Sequence, residues 1–346
     1  MNRNPIIYVL HEYGAPSHYN GLKELGRQKG FDVIFRIFSP KQLCKLLIMG
    51  KILEFFNSSI FILSLPFRNP CKIVLGIAPY DWMLIPLKYL LKRHSVYYHT
   101  SYTHWGDNIM AHPTNSNRLK KFWKTYIKND IKHIFSVSNK SKNELIANGY
   151  SIENSVSVVN HSYNTDIPIT QKAKDNSFIF AGRLTASKGI EELIEIFSKR
   201  PHATLTVVGS GDLEQMVLNA CRKYPNINYL GYISGINNLI PIYQHHSFLL
   251  LNSKRSNIWE ELFGIAIIEG MACGCVPITT DHSGPKEIIT PELNGYIAKE
   301  NCISQYIDRA IDMADNEYQT LRNNAINKGQ TYHCRNIATK WAEILN

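Results

Sequence analysis

Two glutamates on either side of a short apolar segment are the residues of this chain best suited to chemistry. Glu261 and Glu269 enclose the sequence Leu-Phe-Gly-Ile-Ala-Ile-Ile. This segment predicts a buried helix that runs from Gly264 to Gly274. A buried carboxylate without a partner costs on the order of several kcal/mol, and the free amides of a helix N-terminus attract anions. We expect a ligand with hydroxyl groups and phosphate here; the alternative is that Glu269 pairs with a surface lysine.

Two cations at a predicted strand-to-helix turn form a second candidate site. An apolar strand ends at Gly182, Arg183 follows at its carboxyl end, and Lys188 is predicted to start the next helix. Hydrogen bonds between charged groups stabilise a complex by about 1.5–3 kcal/mol each. The pair therefore predicts a diphosphate-binding turn, although the same residues often occur together by chance.

Together these segments resemble the retaining glycosyltransferases of family 4, which have the GT-B fold. Two glutamates that flank seven residues occur in that family, as does a Gly-Arg…Lys-Gly stretch that matches Gly182, Arg183, Lys188 and Gly189. The resemblance covers residues 178–300 and keeps the family's motif order. Its further motifs are Val208–Asp212, Tyr229–Tyr232 and Gly284–Tyr296.

The resemblance implies a role for each of these residues. Arg183 and Lys188 would hold the diphosphate of a nucleotide sugar, Glu261 would contact hydroxyls of the transferred sugar, and Glu269 would bind the ribose. Tyr232 would border the base, and a core position is the alternative for this tyrosine. The other implied donor-binding residues of this half are Gly182, Gly209, Phe263, Gly264 and Ile265.

The first half of the chain matches the family less sharply. Gly14 lies in the first strand-to-helix loop, but Ala15 follows where many members have a second glycine. His99, at the end of a predicted strand, resembles a catalytic-site histidine beside the donor sugar, and His104 competes for that role. Asn160-His161 stands where the family usually has Asn-Gly.

No metal site or cofactor is expected. The chain contains no Asp-x-Asp triplet, and carboxylates of that kind normally hold Mg²⁺ or Mn²⁺ against a diphosphate. Arg183, Lys188 and a helix N-terminus can neutralise the same charge. We therefore expect metal-independent transfer from a UDP- or GDP-linked sugar.

The surrounding elements predict an α/β protein with two doubly wound, Rossmann-like parallel sheets. At 346 residues the chain is long enough for two domains, and short apolar runs alternate with helical patterns throughout. We expect an acceptor-binding domain at 1–168, a nucleotide-sugar-binding domain at 169–330 facing it across a cleft, and a C-terminal helix at 331–346 that packs back on the first domain. The predicted strands are 5–10, 31–38, 72–77, 95–100, 133–138, 177–182, 204–209, 227–231, 247–251 and 275–279.

The positive charge of the chain is concentrated in its first half. Residues 1–170 hold 21 Lys and Arg against 10 Asp and Glu, whereas residues 171–346 hold 17 against 18. Three stretches there, 41–57, 86–94 and 118–130, mix cations with apolar residues at helical spacing, which suits an anionic bilayer surface. The alternative is that their apolar faces pack on the sheet. No apolar segment approaches the length of a membrane span.

These features predict a cytoplasmic enzyme that is peripheral on the inner face of the membrane. Its seven cysteines have no metal-binding or disulfide spacing and are expected to be reduced core thiols. The expected partners are a nucleotide sugar and a saccharide or lipid-linked acceptor of bacterial surface polysaccharide synthesis, because abundant Asn, Ile, Lys and Tyr are typical of AT-rich bacterial genomes. The alternatives are a nucleotide-sugar epimerase, a basic nucleic-acid-binding protein without a recognised motif, and a catalytically silent scaffold.

Overall fold

The computed structural model describes residues 4–106, 116–257 and 259–346, which form two compact units. Unit 1 extends to Ser162 and includes Cys334–Asn346, and unit 2 is Tyr163–His333. Each described unit contains one six-stranded sheet in which all paired strands are parallel. The predicted α/β fold with two doubly wound sheets is therefore confirmed.

The sheet of unit 1 has the strand order β2-β1-β3-β4-β5-β6. Its strands are rich in β-branched and aromatic residues, and the inner strands β1, β3, β4 and β5 are mostly buried on both faces, as expected for a parallel sheet between helices, whereas the edge strands β2 and β6 are partly exposed. The strands are β1 (Ile6–His11), β2 (Asp32–Ile37), β3 (Lys72–Gly76), β4 (Ser95–Thr100), β5 (Ile131–Ser136) and β6 (Val156–Val158). The helices are α1 (Asn20–Lys29), α2 (Pro40–Ile48), α3 (Ile52–Ser64), α4 (Leu84–Leu91), α5 (Asn117–Asp130) and α6 (Asn139–Ala147).

The sheet of unit 2 has the order β12-β11-β10-β7-β8-β9, in which the chain reverses direction across the sheet between β7 and β10. Ligands of open parallel sheets bind at the carboxyl ends of strands beside such a reversal. The strands are β7 (Ser177–Ala181), β8 (Thr204–Val208), β9 (Ile227–Tyr229), β10 (Phe248–Leu251), β11 (Val276–Thr280) and β12 (Tyr296–Ala298). The helices are α7 (Ile190–Ser198), α8 (Glu214–Lys223), α9 (Ile236–Gln244), α10 (Ile265–Cys273), α11 (Ser283–Ile288), α12 (Ile303–Asp312) and α13 (Asp315–Gln330).

The C-terminal segment belongs to unit 1. It contains α14 (Cys334–Ala338) and a 3-10 helical stretch, Thr339–Leu345. Trp341 is buried there, and its ring centroid lies 4.5 Å from that of Phe135 on β5. A Cβ at Gly21 of α1 would lie only 2.9 Å from Ile337, so glycine permits this close packing.

Several details differ from the sequence-based predictions. The short edge strands β6 and β12 are not among the predicted strands. Lys188 does not start a helix: it ends a 3-10 turn, and α7 begins at Ile190. The stretch 41–57 is not one helix, because Gly50 adopts a left-handed φ of 71° between α2 and α3. All seven cysteines are free, but Cys44 is exposed and only three are buried, so the prediction of core thiols was wrong for the others.

The helices of the described residues are all too short or too polar to cross a bilayer.

Candidate functional site

Three loops of unit 2 meet at the carboxyl ends of adjacent strands. Because β7 lies between β10 and β8 and all three run in the same direction, the loops that follow them share one edge of the sheet. The β7 loop carries Gly182, Arg183 and Lys188, and the β10 loop leads through Glu261 to α10. The strand order therefore brings the two predicted clusters together.

Glycine holds the β7 and β8 loops in backbone contact. The amide of Gly182 donates to the carbonyl of Val208 at 3.0 Å. A Cβ on Gly209, whose φ is +142°, would lie 1.8 Å from the Gly182 carbonyl oxygen. A larger residue at position 209 would therefore separate the loops. The Gly209 amide also donates to the carbonyl of Gly231 at 2.9 Å, which ties the β9 loop to the same edge.

Lys188 and Glu261 form the ion pair at the centre of this edge. The Lys188 side chain is buried, and its ammonium group contacts a carboxylate oxygen of Glu261. The Ser253 hydroxyl donates to the same oxygen at 3.1 Å. The Lys188 Nζ also lies 5.0 Å from the centroid of the Trp259 ring, a cation–π geometry. These contacts fix the position of the Lys188 ammonium group, which can then bind an anionic ligand.

A buried histidine fixes the backbone around Glu261. The Glu261 amide donates to Nδ1 of His282 at 3.1 Å, and Nε2 of His282 lies 2.9 Å from the Ser253 carbonyl. Burial is the main cause that lowers the pKa of His282, which keeps the ring neutral. Gly284 donates its amide to the Glu261 carbonyl at 3.0 Å. Sequence analysis missed His282, Ser253 and Trp259; the nearby Gly284 motif was the available signal for His282.

The N-terminus of α10 is open to an anion. Gly264 precedes the helix with a φ of 93°, and no side chain caps the first turn. A Cβ at Gly264 would lie 2.7 Å from Ile267, so a larger residue would be strained in both backbone and packing. Phe263 is buried, whereas Gly264 and Ile265 are partly exposed. The uncapped amides and the helix dipole favour a negatively charged group at this point.

Arg183 is exposed beside this helix-end site. In the part of the chain that the structure describes, its guanidinium makes no ion pair or hydrogen bond. The Tyr232 ring is 70% exposed, so the alternative of a core tyrosine does not hold. Both side chains are therefore available to a ligand.

Glu269 lies on the second turn of α10 and is partly exposed, and its carboxyl group has a raised pKa. Burial raises the pKa of its carboxyl group to about 7, and the Tyr243 hydroxyl opposes part of that effect. Among the described residues, no lysine or arginine forms an ion pair with Glu269, so the surface-lysine alternative does not hold. A carboxylate in this state gains from hydroxyl donors supplied by a ligand.

In unit 1, His99 lies at the end of β4 with one ring nitrogen unused. Its Nδ1 is 3.2 Å from the Tyr19 hydroxyl, and its Nε2 is buried without a hydrogen-bond partner among the described residues. Burial raises the pKa of Tyr19 well above its usual value, so the phenol keeps its proton. In the tautomer in which Tyr19 donates to Nδ1, the hydrogen of the ring is on Nε2 and faces no protein acceptor among the described residues. His104 is partly exposed in the loop after β4.

His99 belongs to a histidine cluster formed by His11, His18, His99 and His161. The His18 and His161 ring centroids are 4.2 Å apart, and those of His99 and His161 are 6.0 Å apart. Burial is the main cause that lowers the pKa of each member, to about 3 for His11. The cluster is therefore uncharged at neutral pH.

The first loop of unit 1 adopts the backbone that paired glycines would permit. Gly14 has a φ of 93°, and Ala15 has a left-handed φ of 39° with ψ of 52°. Ala15 therefore takes a conformation that is uncommon for a residue with a Cβ.

No group of three or more His, Cys, Asp or Glu side chains within the described ranges is arranged to hold a metal ion.

Comparison with known proteins identifies the second half of the chain most clearly. Residues 162–332, just under half of the chain, match the family described as Glycosyl transferases group 1. An uncharacterised glycosyltransferase of Methanocaldococcus jannaschii is 29% identical over 217 residues, which cover 56% of this chain and 54% of that protein. The O-antigen biosynthesis glycosyltransferase WbnH of Escherichia coli is 24% identical over 236 residues, or 67% of this chain and 65% of that protein.

Solved structures share the fold of both units. HepE of Anabaena, in complex with UDP and glucose, has a TM-score of 0.71 at 15% identity, with 99% of each chain covered. Sucrose-phosphate synthase of Thermosynechococcus elongatus has a TM-score of 0.72 at 15% identity, with 99% of this chain and 98% of that chain covered. These similarities establish the GT-B fold.

Proposed function

Residues 162–332 are a glycosyltransferase group 1 domain on the GT-B fold, and from this premise we propose that the protein transfers a sugar from a nucleoside-diphosphate sugar to a saccharide. The proposed acceptor belongs to bacterial surface polysaccharide synthesis and is free or lipid-linked. The similarity to an O-antigen glycosyltransferase supports this setting. UDP is the favoured donor nucleotide because solved relatives of the same fold bind UDP and UDP-glucose.

The observation that carries the proposal is the junction of Lys188, Glu261 and the uncapped α10 N-terminus. A diphosphate needs several positive groups within a few ångströms, and this edge supplies an ammonium, a free guanidinium at Arg183 and helix amides. The adjacent carboxylates, Glu261 and Glu269, are suited to the hydroxyls of the sugar and the ribose. No other described feature of unit 2 offers this combination of groups.

In the proposed reaction, the bond between the anomeric carbon and the diphosphate oxygen breaks as the acceptor hydroxyl oxygen bonds to that carbon. Positive charge develops on the sugar and negative charge on the departing nucleoside diphosphate. Arg183, Lys188 and the α10 amides stabilise the negative charge. The acceptor attacks from the face that the diphosphate leaves, the departing oxygen takes the acceptor proton, and the configuration is retained.

His99 and Gly14 have supporting roles in this proposal. The neutral His99 donates its Nε2 hydrogen to a sugar oxygen, and the Gly14 loop lets backbone approach the donor. The reaction proceeds without a metal ion, because protein cations neutralise the leaving group. The comparisons do not favour the epimerase or nucleic-acid-binding alternatives. The positively charged first half holds the enzyme at the inner face of the cell membrane.

The experiment is a screen of UDP- and GDP-sugars by thermal stabilisation, followed by mass spectrometry of sugar transfer to saccharide and lipid-linked acceptors. We expect one UDP-sugar to stabilise the protein and to be consumed only with an acceptor. The variants Arg183→Ala and Lys188→Ala should lose transfer, whereas Arg222→Ala and Lys199→Ala, which change exposed cations on α8 and directly after α7, should not. Release of an epimerised nucleotide sugar without an acceptor would contradict the proposal.

A further inference from the structure

One face of α3 exposes an unbroken stripe of large apolar side chains. Leu53 and Leu63 are 75% and 73% exposed, and Phe67, just after the helix, is 86% exposed. Side chains at these spacings lie above one another on a helix. We call this surface the α3 ridge; it consists of Leu53, Phe56, Ile60, Leu63 and Phe67.

The opposite face of α3 is what packs on unit 1. Ser58 and Phe61 are buried there, and the Ile37 amide at the end of β2 donates to the Ser58 hydroxyl at 3.2 Å. The ridge therefore faces away from the protein interior. By contrast, α5 buries Trp123 and Tyr126, so its apolar face packs on the unit, as the alternative interpretation expected.

Neighbouring elements of unit 1 also expose apolar and aromatic groups. Ile48 at the end of α2 is 86% exposed, and Trp82 and Tyr89 on and before α4 are also exposed. Arg93, after α4, donates to the Pro66 carbonyl at 2.9 Å, which joins α4 to the end of α3. Tryptophan and tyrosine are enriched at the level of lipid headgroups.

A cavity of about 520 Å³ opens beside the ridge and contains several cations. Its walls come from the loop after β1, the end of β2, and the α2–α3 hairpin. We call it the basic pocket. The residues that matter here are Gly14, Arg36, Lys45, Met49, Lys51 and Glu54.

Arg36 is the most informative side chain of the basic pocket. Its Nε is buried without a hydrogen-bond partner among the described residues, whereas its Nη1 donates to the Phe35 carbonyl at 2.8 Å. Burial lowers the pKa of Arg36, and the charge of Arg68 acts in the same direction. The Nζ of Lys51 lies 3.7 Å from a carboxylate oxygen of Glu54, and such an exposed ion pair contributes little to stability. The three cations of the pocket, Arg36, Lys45 and Lys51, therefore outnumber its one carboxylate, Glu54, and the excess positive charge favours an anionic ligand.

The occupant of the ridge follows from the charge around it. Residues 1–170 hold 21 Lys and Arg against 10 Asp and Glu, and Lys41, Lys45 and Lys51 are exposed on the hairpin itself. A second copy of the chain would bring two positively charged surfaces together, whereas an anionic bilayer has the opposite charge. Apolar side chains flanked by lysines are typical of helices that lie in a membrane surface.

We propose that the basic pocket binds the phosphate of a lipid-anchored saccharide acceptor while the α3 ridge holds the pocket at the surface of an anionic bilayer. This inference rests on the proposed function and deepens it by assigning the chemical class of the acceptor. Gly14 lines the pocket and also belongs to the loop expected to approach the donor, so an acceptor held there lies beside that loop. The α2–α3 hairpin takes part in both phosphate binding and membrane binding, because its Met49 lines the pocket and is also exposed.

The ridge is tested by co-sedimentation with phosphatidylcholine vesicles, with and without phosphatidylglycerol. We expect binding only to the anionic vesicles, weaker binding at high salt, and a loss of about tenfold or more in affinity for Phe56→Ser/Ile60→Ser. Ile152→Ser, at an equally exposed apolar residue elsewhere in unit 1, is the matched control. Equal binding by both variants, or a dimer that the ridge variant dissociates, would overturn the ridge assignment.

The pocket is tested with inorganic pyrophosphate, added in the presence of saturating UDP so that the proposed donor site of unit 2 is already occupied, and with hexadecyl phosphate in phosphatidylcholine vesicles. Arg36→Gln/Lys45→Gln should weaken both interactions by about tenfold or more, and Lys132→Gln, at an exposed lysine, should change neither. The ridge variant should keep pyrophosphate binding but lose vesicle binding, which separates the soluble from the bilayer-borne phosphate. Unchanged phosphate binding by the pocket variant would overturn the pocket assignment.

Thermal stabilisation by UDP is measured on the same variants. It reports on the proposed donor site in unit 2, which none of these substitutions touches. If UDP stabilises the protein but the pocket binds no phosphate, only the acceptor inference is refuted. If the wild-type protein does not bind UDP, the proposed function is refuted.

Discussion

Replacing Glu269 with glutamine should make the protein more stable and its nucleotide site weaker. Burial raises the pKa of the Glu269 carboxyl from 4.5 to about 7. That shift corresponds to about 3 kcal/mol against the charged form above pH 7. Partial exposure of the side chain reduces the effect, so we expect Glu269→Gln to raise the free energy of unfolding by about 1–3 kcal/mol at pH 8.

The direction of this pKa shift determines how the free energy of unfolding changes with pH. Because the pKa of Glu269 is higher in the folded protein than in the unfolded chain, its ionisation destabilises the fold progressively between pH 4.5 and about 7. The stability gained by the variant should therefore be small near pH 4.5, grow through that window and level off above it. Urea unfolding at several pH values measures this difference, with Glu191→Gln on the exposed face of α7 as the matched control.

Nucleotide binding should change in the opposite direction. Ribose hydroxyls that donate to the carboxylate are lost or weakened in Glu269→Gln, which corresponds to about 10- to 100-fold weaker UDP binding at pH 8. In the wild type the same contacts favour the ionised form, so UDP affinity should increase by up to about tenfold from pH 6 to pH 8. Calorimetry measures both effects. A variant that binds UDP like the wild type with no change in pH dependence would refute the assignment of Glu269 to the ligand.

Other predictions address the donor turn, the loop contact, the histidine cluster and the absence of a metal. Arg183→Ala and Lys188→Ala should each lower kcat by about 100-fold or more, and near-wild-type turnover would contradict their role. Arg183→Ala should leave Tm nearly unchanged, whereas Lys188→Ala should also lower Tm because Glu261 loses its buried partner. Gly209→Ala should lower both Tm and UDP affinity because its Cβ would lie 1.8 Å from the Gly182 oxygen, and an unchanged Tm would show that the loops can separate freely. The histidine cluster has lowered pKa values, so stability should be complete above pH 6.5 and fall on acidification by up to about 1.4 kcal/mol per pH unit for each histidine; acid titration of unfolding with a flat profile would contradict this. Turnover should persist in EDTA, and loss that Mg²⁺ or Mn²⁺ restores would contradict metal-independent transfer.

The alternation of apolar strands and helices was sufficient to predict ten of the twelve strands and the position of α10, but not the three-residue edge strands β6 and β12. The glycines at 264 and 274 marked its ends, and the structure gives both a left-handed φ. Local sequence was sufficient here because each parallel strand is a short apolar run and each loop has its own turn residues.

The contacts that complete the sites depend on residues distant in the chain and were not predictable. The His282 ring supports Glu261 from a different strand, and Trp341 reaches the vicinity of His99 from the C-terminus, with ring centroids 5.4 Å apart. Similar limits apply to the amphipathic stretches: 41–57 and 118–130 both mix cations with apolar residues, yet α5 buries its apolar face and α3 exposes one. Only tertiary packing decides between these outcomes.

The most direct test of the central claim is a crystal structure of the protein with a bound UDP-sugar. The account predicts the diphosphate at the N-terminus of α10, with Arg183 and Lys188 on its oxygens and Glu269 on the ribose. A nucleotide bound at another place, or a diphosphate that contacts neither cation, would contradict it.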